Sequence, residues 1–152
     1  MSAERFTLDT NILVYSVEPA ADARFSIASD IMDRAPHCDC PIALQAISEF
    51  YVAVIRKRKL TVLEAAAQAN DWLVAFTPMA ASAVAIRMAL RCAAEGRASY
   101  WDALLAATAA EAGCHAILSE DMANGSVLFG VRIVNPFAGG VLSAAAEALL
   151  AG

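Results

Sequence analysis

Short apolar segments that alternate with helical segments are the feature that most restricts how this chain can fold. The apolar segments predict strands at 5–8, 38–42, 76–79, 115–118 and 131–134. The helical patterns lie at about 21–34, 45–58, 61–74, 82–95, 99–113 and 142–150. Strands that alternate with helices form βαβ units, whose parallel strands are covered by helices on both faces. We therefore expect the α/β class, with a single three-layer α/β/α domain over residues 1–152 and a short-stranded parallel sheet.

The helix over 45–58 is the most strongly patterned of these elements. Apolar side chains recur at the spacing of one helical face, at Ile47, Phe50, Tyr51, Val54 and Ile55. This pattern predicts a buried face along the helix.

Two helix boundaries also carry a local signal. Thr61 stands three residues before Glu64, which is the capping-box pattern of a helix N-terminus. Gly113 suits the position just after a helix C-terminus. The segment 139–152 is alanine-rich, and we expect a C-terminal tail with a helix.

Composition is that of a globular domain. Hydrophobic residues make up 59% of the 152 residues and charged residues 18%, which excludes a disordered chain. The longest uncharged stretch, 72–86, is shorter than the about 20 residues that a membrane helix needs, and no signal peptide is evident at residue 1. We expect a cytoplasmic protein without a membrane partner. The net charge of −5 disfavours long-range attraction of a polyanion, although a local basic patch can override it.

The four cysteines leave a zinc site as an alternative. None forms a C-x-x-C pair, and a cytosolic protein would keep them reduced. The segment 37–40 with Cys114 and His115 offers cysteine and histidine ligands if the two segments meet. Because both segments also resemble short core strands, we favour buried thiols.

Three aspartates lie where an α/β sheet gathers its ligands. Asp9 directly follows the first predicted strand, and Asp121 follows the strand that ends at Leu118. Asp102 lies in the first turn of the helix that Ser99 begins. The carboxyl ends of parallel strands form the ligand-binding edge of such sheets, and carboxylate oxygens are ligands for Mg²⁺ and Mn²⁺. The pattern predicts a metal site at this edge, and mutual repulsion should raise the pKa of at least one of the acids.

Each aspartate also has a purely structural interpretation. Asp9 and Asn11 can cap a helix or form a turn. Asp102 stands three residues after Ser99, as in a capping box. Asp121 can be an ordinary loop residue. The site disappears only if all of these interpretations hold together.

Glu49 is a fourth acidic candidate, in the middle of the helix over 45–58. Val52 and Ala53 lie on its own side of that helix, which indicates that this flank is also covered. A covered carboxylate needs a partner, and a metal ion is one candidate.

The main cationic run, Arg56-Lys57-Arg58-Lys59, follows Glu49 on the same helix. Arg56, Lys57 and Arg58 are either favourable charges at a helix C-terminus or a patch that binds RNA phosphates. Further arginines that would extend such a patch are Arg24, Arg87, Arg91 and Arg97. Tyr100 and Trp101 are interpreted as core residues, with stacking on bases as the alternative.

Three segments of the chain resemble the signature blocks of bacterial PIN-domain nucleases. They are Leu8-Asp9-Thr10-Asn11-Ile12-Leu13-Val14-Tyr15, Ser99-Tyr100-Trp101-Asp102-Ala103-Leu104 and Ile117-Leu118-Ser119-Glu120-Asp121. The segment 130–137 resembles the way such chains end, and the similarity is closest to VapC-type toxins of toxin–antitoxin modules. The tail after Gly139 departs from the family pattern.

The resemblance implies a Mg²⁺- or Mn²⁺-dependent endoribonuclease. The family's catalytic acids fall on Asp9, Glu49, Asp102 and Asp121, with Asp9, Asp102 and Asp121 as metal ligands. Its supporting polar residues, which orient the carboxylates, fall on Thr10, Asn11 and Ser119. The bound metal would activate a water molecule to attack a phosphodiester.

The resemblance also implies an RNA substrate, a small antitoxin protein and a homodimer. Two alternatives stay open. One is a catalytically silent PIN-like interaction module, and the other is a nuclease that acts in RNA processing rather than as a toxin.

Overall fold

The structure is a computed structural model that describes residues 3–152. Its strands are β1 (Phe6–Leu8), β2 (Ile42–Ala43), β3 (Pro78–Met79), β4 (Ala116–Leu118), β5 (Val127–Leu128), β6 (Val131–Val134), β7 (Phe137–Ala138) and β8 (Val141–Leu142). Its helices are α1 (Thr10–Tyr15), α2 (Ala23–Arg34), α3 (Leu44–Arg56), α4 (Val62–Ala75), α5 (Ala83–Ala94), α6 (Tyr100–Glu111) and α7 (Ala144–Leu150).

A four-stranded sheet with the order β1-β4-β6-β5 lies at the centre. β1, β4 and β6 are parallel, and Leu8 is in register with Leu118, which in turn is in register with Val134. The carboxyl ends of these strands therefore meet at one edge, as the alternation of strands and helices predicts. β5 adds an antiparallel edge strand through a tight hairpin. The predicted α/β class with a mainly parallel sheet is confirmed.

A second parallel pair, β2 with β3, continues this layer beside β1. The Thr7 hydroxyl donates to the carbonyl of Pro41 at 2.7 Å, and the Phe6 amide donates to the carbonyl of Asp39 at 3.2 Å. Phe6 and Leu8 are fully buried, so β1 lies in the middle of the core.

The strand predicted at 38–42 is wrong over most of its length, because only Ile42 and Ala43 pair as a strand. Residues 35–37 form a 3₁₀ turn, and the Cys40 amide donates locally to the carbonyl of Cys38. Pro41 has no amide hydrogen to donate to a neighbouring strand. α1 is an additional element that the sequence pattern did not indicate.

The α3 prediction is close to the structure. Ile47, Phe50 and Val54 are buried, whereas Tyr51 and Ile55 are partly buried at the margin of the same face. The flank of Glu49 is not covered as predicted, since Val52 is 56% exposed. The α4 cap is confirmed, with the Thr61 hydroxyl oxygen accepting from the Glu64 amide at 3.2 Å.

α6 passes through the core, and residues 103–109 are all buried. Alanine at four of these seven positions lets neighbouring elements approach closely. No helix within residues 3–152 is long and apolar enough to cross a membrane.

The C-terminal segment packs on the domain. β7 and β8 form a hairpin, and α7 buries Ala146, Leu149 and Leu150. The Arg34 guanidinium on α2 donates two hydrogen bonds of 2.8 Å to the Glu147 carboxylate. The helix predicted at 142–150 is shorter by two residues, because Val141 and Leu142 pair with β7.

Candidate functional site

All four acidic candidates line one cleft of about 380 Å³ at the carboxyl edge of the sheet. Asp9 follows β1, Asp121 follows β4, Asp102 lies in the first turn of α6, and Glu49 lies on α3. The remaining residues of the cleft wall are Thr10, Asn11, Val14, Tyr15, Glu18, Ala53, Arg56 and Lys57. Segments that are far apart in the sequence therefore bring their carboxylates to one place.

Asp9 is held more firmly than any other acid of the cleft. It is 8% exposed, and its carboxylate accepts hydrogen bonds from the Thr10 amide and the Ser119 hydroxyl, each at 2.7 Å. The Asn11 side-chain amide donates to it at 3.4 Å. Thr10, Asn11 and Ser119 thus contact Asp9 directly. Asp9 is also the N-cap of α1, so its capping role and its place in the cleft coexist.

Burial raises the pKa of Asp9 to about 6, from an ordinary 3.8, because the charged form loses hydration. The hydrogen bonds from Ser119 and Thr10 oppose this rise in the pKa. The negative charges of Asp102 and Asp121 raise the pKa further. A raised pKa in the cluster was predicted from repulsion between the acids, but burial is the larger cause.

Asp102 also takes part in a helix cap and lines the cleft. Its amide donates to the Ser99 hydroxyl at 3.2 Å, so Ser99 caps α6 as predicted. Burial raises the pKa of the Asp102 carboxyl, a hydrogen bond with Ser99 lowers it, and the charges of Asp121 and Glu49 raise it. The negative charges of Asp121 and Glu49 therefore both disfavour ionisation of Asp102.

Glu49 is oriented by two neighbours. The Thr10 hydroxyl donates to its Oε2 at 3.1 Å, and the Gln45 side-chain amide donates to its Oε1 at 2.8 Å. Gln45 also donates to the carbonyl of Trp101 at 3.1 Å, so it links α3 to the start of α6. Gln45 was not among the predicted site residues, although its position four residues before Glu49 on a helix is a signal for such a contact.

The neighbouring acids Glu120 and Asp121 separate in space. Glu120 accepts a hydrogen bond from the Tyr15 hydroxyl at 2.9 Å and forms an ion pair with Arg24 at 2.6 Å. Its amide also donates to Asn11 at 3.4 Å. Asp121 alone of the two lines the cleft. The sequence did not reveal Glu120 as the neutralising partner of Arg24.

The carboxylates do not form a closed cage. Among residues 3–152, no three histidine, cysteine, aspartate or glutamate side chains lie close enough to enclose a metal ion. The cysteine and histidine segments likewise form no such group within these residues, and all four thiols are free. Mg²⁺ typically takes one or two carboxylates and keeps several waters, so an open cleft with oxygen donors from three strand or helix ends fits that ion.

Most positive charges in residues 3–152 are neutralised by ion pairs. Six of the 11 lysines and arginines have an acidic partner: Arg5, Arg24, Arg34, Lys59, Arg97 and Arg132. The five others are Arg56, Lys57, Arg58, Arg87 and Arg91. Arg56 and Lys57 line the acidic cleft, whereas Arg58 does not, and Arg87 and Arg91 line a separate cavity.

No family model and no curated protein sequence matches this chain, but several solved structures do. VapC20 of Mycobacterium tuberculosis, described as a Sarcin-Ricin loop cleaving toxin, is 18% identical with a TM-score of 0.62, over 76% of this chain and 89% of VapC20. The DNA-bound VapBC of Salmonella typhimurium is 15% identical with a TM-score of 0.61, over 86% of this chain and 96% of that one. VapBC2 of Rickettsia felis, bound to a promoter DNA fragment, is 14% identical with a TM-score of 0.56, over 84% and 96%. The PIN-like fold that the resemblance implied is thereby confirmed: this chain has the fold of the VapC proteins.

Proposed function

We propose that this chain is a Mg²⁺- or Mn²⁺-dependent endoribonuclease that hydrolyses RNA phosphodiesters. The observation that carries the proposal is the joint position of Asp9, Glu49, Asp102 and Asp121 in one cleft. The fold shared with VapC proteins supports it, since one of them is described as a Sarcin-Ricin loop cleaving toxin.

An acidic cleft by itself would repel a phosphodiester. Arg56 and Lys57 offset this repulsion, because they line the same cleft and have no acidic partner within the described part of the chain. They provide the local positive charge that binds phosphate in a protein with a net charge of −5.

Asp9 and Asp102 would be the principal ligands of the metal ion, and Asp121 would bind it directly or through a water molecule. When bound, the ion would supply Lewis-acid chemistry and make a water molecule easier to deprotonate. Asp9 is buried and has a pKa of about 6, so it gains most from a neighbouring cation that favours its charged form. Ser119 and Thr10 fix the direction of its two oxygens.

Glu49 would orient the attacking water and accept its proton. Thr10 and Gln45 hold the two oxygens of Glu49 in place without neutralising its charge. In the reaction the water oxygen forms a bond to phosphorus, the bond to the leaving ribose oxygen breaks, and that oxygen takes up a proton. Arg56 and Lys57 would hold the phosphate during this exchange.

The test is RNA cleavage by purified protein with Mg²⁺ or Mn²⁺, with and without EDTA. We expect Asp9→Asn and Asp102→Asn to abolish turnover, and Asp33→Asn, an exposed aspartate on α2 outside the cleft, to retain it. Cleavage that persists in excess EDTA would overturn the metal-dependent mechanism. Metal binding without any cleavage would favour the silent interaction module.

We further propose that the chain is the toxin of a toxin–antitoxin pair in the cytoplasm. The VapBC structures with the same fold support a small antitoxin as its partner and, by family resemblance, a homodimer. Expression of the chain alone should arrest bacterial growth, and Asp9→Asn should relieve the arrest. Equal growth with both proteins would favour RNA processing over a toxin, and sedimentation of the purified chain would test the dimer.

A further inference from the structure

A second cavity, of about 670 Å³, adjoins the acidic cleft. The two cavities share Thr10, Glu49, Ala53 and Arg56 in their walls. The rest of the second cavity wall consists of Gln45, Ser48, Val52, Trp101 and Leu104. Val52, Ala53, Trp101 and Leu104 therefore give this cavity an apolar surface beside the carboxylates.

Trp101, in the wall of this cavity, is exposed to solvent to an unusual degree for a tryptophan. Its side chain is 59% exposed, although tryptophan is on average a highly buried residue. The prediction that Trp101 belongs to the core is therefore wrong. Trp101 directly precedes Asp102 in the chain, and its cavity shares wall residues with the cleft that Asp102 lines.

Trp101 is held both at its carbonyl and at its ring. Its carbonyl accepts the hydrogen bond from Gln45, and its ring packs edge-on against Tyr100, with the ring centres 5.0 Å apart. A fixed aromatic ring loses little conformational freedom when a planar ligand stacks on it.

We propose that this cavity binds a nucleobase, with Trp101 stacking on an unpaired base of the RNA next to the phosphodiester in the acidic cleft. The inference rests on the proposed ribonuclease function and adds the form of the substrate. Bases of single-stranded or looped RNA can stack on aromatic side chains, whereas paired bases in a helix cannot.

The order of charge along the wall favours a nucleotide over a protein segment. A nucleotide places an anionic phosphate next to a planar, largely apolar base. The cavity pair places Arg56, which has no acidic partner within residues 3–152, at the shared boundary. The residues that only the second cavity contains include the apolar Val52, Leu104 and Trp101, together with Gln45 and Ser48.

Binding is measured in an Asp9→Asn background, which cannot cleave. A short single-stranded RNA is titrated in Mg²⁺, and its Kd is compared with that of the same RNA carrying an abasic site at each position in turn. Base–aromatic stacking contributes about 1–3 kcal/mol, so Trp101→Ala should weaken binding about 5- to 150-fold. The RNA that lacks the stacked base should bind the parent protein more weakly than intact RNA does. That abasic RNA should bind the parent protein and Trp101→Ala with equal affinity.

Tryptophan fluorescence gives an independent signal. Trp72 is 7% exposed and packs on Phe50, so stacked RNA should quench Trp101 and not Trp72. Trp101→Phe should remove the quenching but keep most of the affinity, because phenylalanine still presents an aromatic face. Leu63→Ala, at an 83% exposed leucine on α4 outside both cavities, is the matched control and should bind RNA as the parent does.

Steady-state cleavage by the otherwise wild-type protein separates stacking from an effect on Asp102. Loss of a stacking contact that is equal in the ground and transition states raises KM and leaves kcat unchanged, whereas a displaced Asp102 lowers kcat. If Trp101→Ala binds and cleaves RNA with unchanged Kd and KM, the proposed base-binding site is refuted. The ribonuclease proposal would still stand. Loss of antitoxin binding without loss of RNA binding would also overturn the base-binding site, in favour of a protein segment in the cavity. Absence of RNA binding and cleavage in the parent would instead refute the ribonuclease proposal itself.

Discussion

Replacement of Asp9 by asparagine should stabilise the metal-free protein at neutral pH. The pKa of Asp9 is about 6 in the folded protein, against its ordinary value of 3.8, which applies to the unfolded chain. The folded state therefore binds the proton more tightly than the unfolded state does. At about 1.4 kcal/mol per pKa unit, ionised Asp9 destabilises the fold by about 3 kcal/mol.

The sign of this effect fixes its pH range. Stability associated with protonated Asp9 is fully present below pH 3.8 and is lost as the pH rises to about 6 and above. Asparagine does not ionise, so the advantage of the variant over wild type should grow by about 2–3 kcal/mol between pH 4 and pH 8. At about 2–4 °C per kcal/mol for a chain of this size, that is a relative gain of roughly 4–12 °C in Tm. Loss of the hydrogen bonds that Asp9 accepts from Thr10 and Ser119 lowers the stability of the variant relative to wild type at every pH, but it does not change the pH dependence of that difference.

The assay is thermal and urea unfolding in EDTA at several pH values from 4 to 8. Asp33→Asn is the control for the loss of one negative charge at an exposed position. Stability profiles of wild type and Asp9→Asn that run parallel over this range would refute the reasoning. Saturating Mg²⁺ should then stabilise wild type by RT ln(1 + [L]/Kd) and Asp9→Asn much less, whereas equal indifference to Mg²⁺ would indicate capping residues without a metal site.

Three further outcomes are expected from the contacts around the cleft and the tail. Replacing Arg56 and Lys57 together by alanine should weaken RNA binding and reduce the slope of log K against log salt by about 0.7 for each lost phosphate contact. The control is the same double change at Arg5 and Arg132, which have acidic partners. An unchanged slope would mean that Arg56 and Lys57 are only favourable charges at a helix end. Ser119→Ala removes a buried 2.7 Å hydrogen bond that lowers the pKa of Asp9. NMR titration should therefore find a higher pKa for Asp9 than in wild type, and an equal or lower pKa would contradict the geometry. Leu149→Ala, at a buried α7 position, should lower the urea-unfolding free energy by roughly 2–5 kcal/mol, and no loss would mean that the tail does not pack on the domain in solution.

Local sequence patterns determined the helices with clear caps and the residues that follow the strands. Thr61 and Ser99 begin α4 and α6 as predicted, because an N-cap is a contact between residues three positions apart. Asp9 and Asp121 were identified as cleft residues from their places after β1 and β4, since parallel strands must end at a common edge. These inferences need only the order of elements along the chain.

Elements with little local signal depended on the tertiary structure. α1 has six residues, which is too short for a helix to be stable without packing. β5, β7 and β8 have two residues each and exist because a partner strand is present. The sequence predicted none of these four elements.

The chemistry of the site depended on contacts that are distant in sequence. Only the folded chain buries Asp9 under neighbouring elements, and that burial is the main reason why its pKa is raised. Only the fold pairs Arg24 with Glu120, 96 residues away, and leaves Arg56 without an acidic partner in residues 3–152. The exposure of Trp101 was likewise undecided, because an aromatic residue at a helix N-terminus has the same sequence pattern whether or not another element covers it. The sequence therefore determined which groups stand at the carboxyl edge of the sheet, and long-range packing decided which of them are desolvated, neutralised or left open to a ligand.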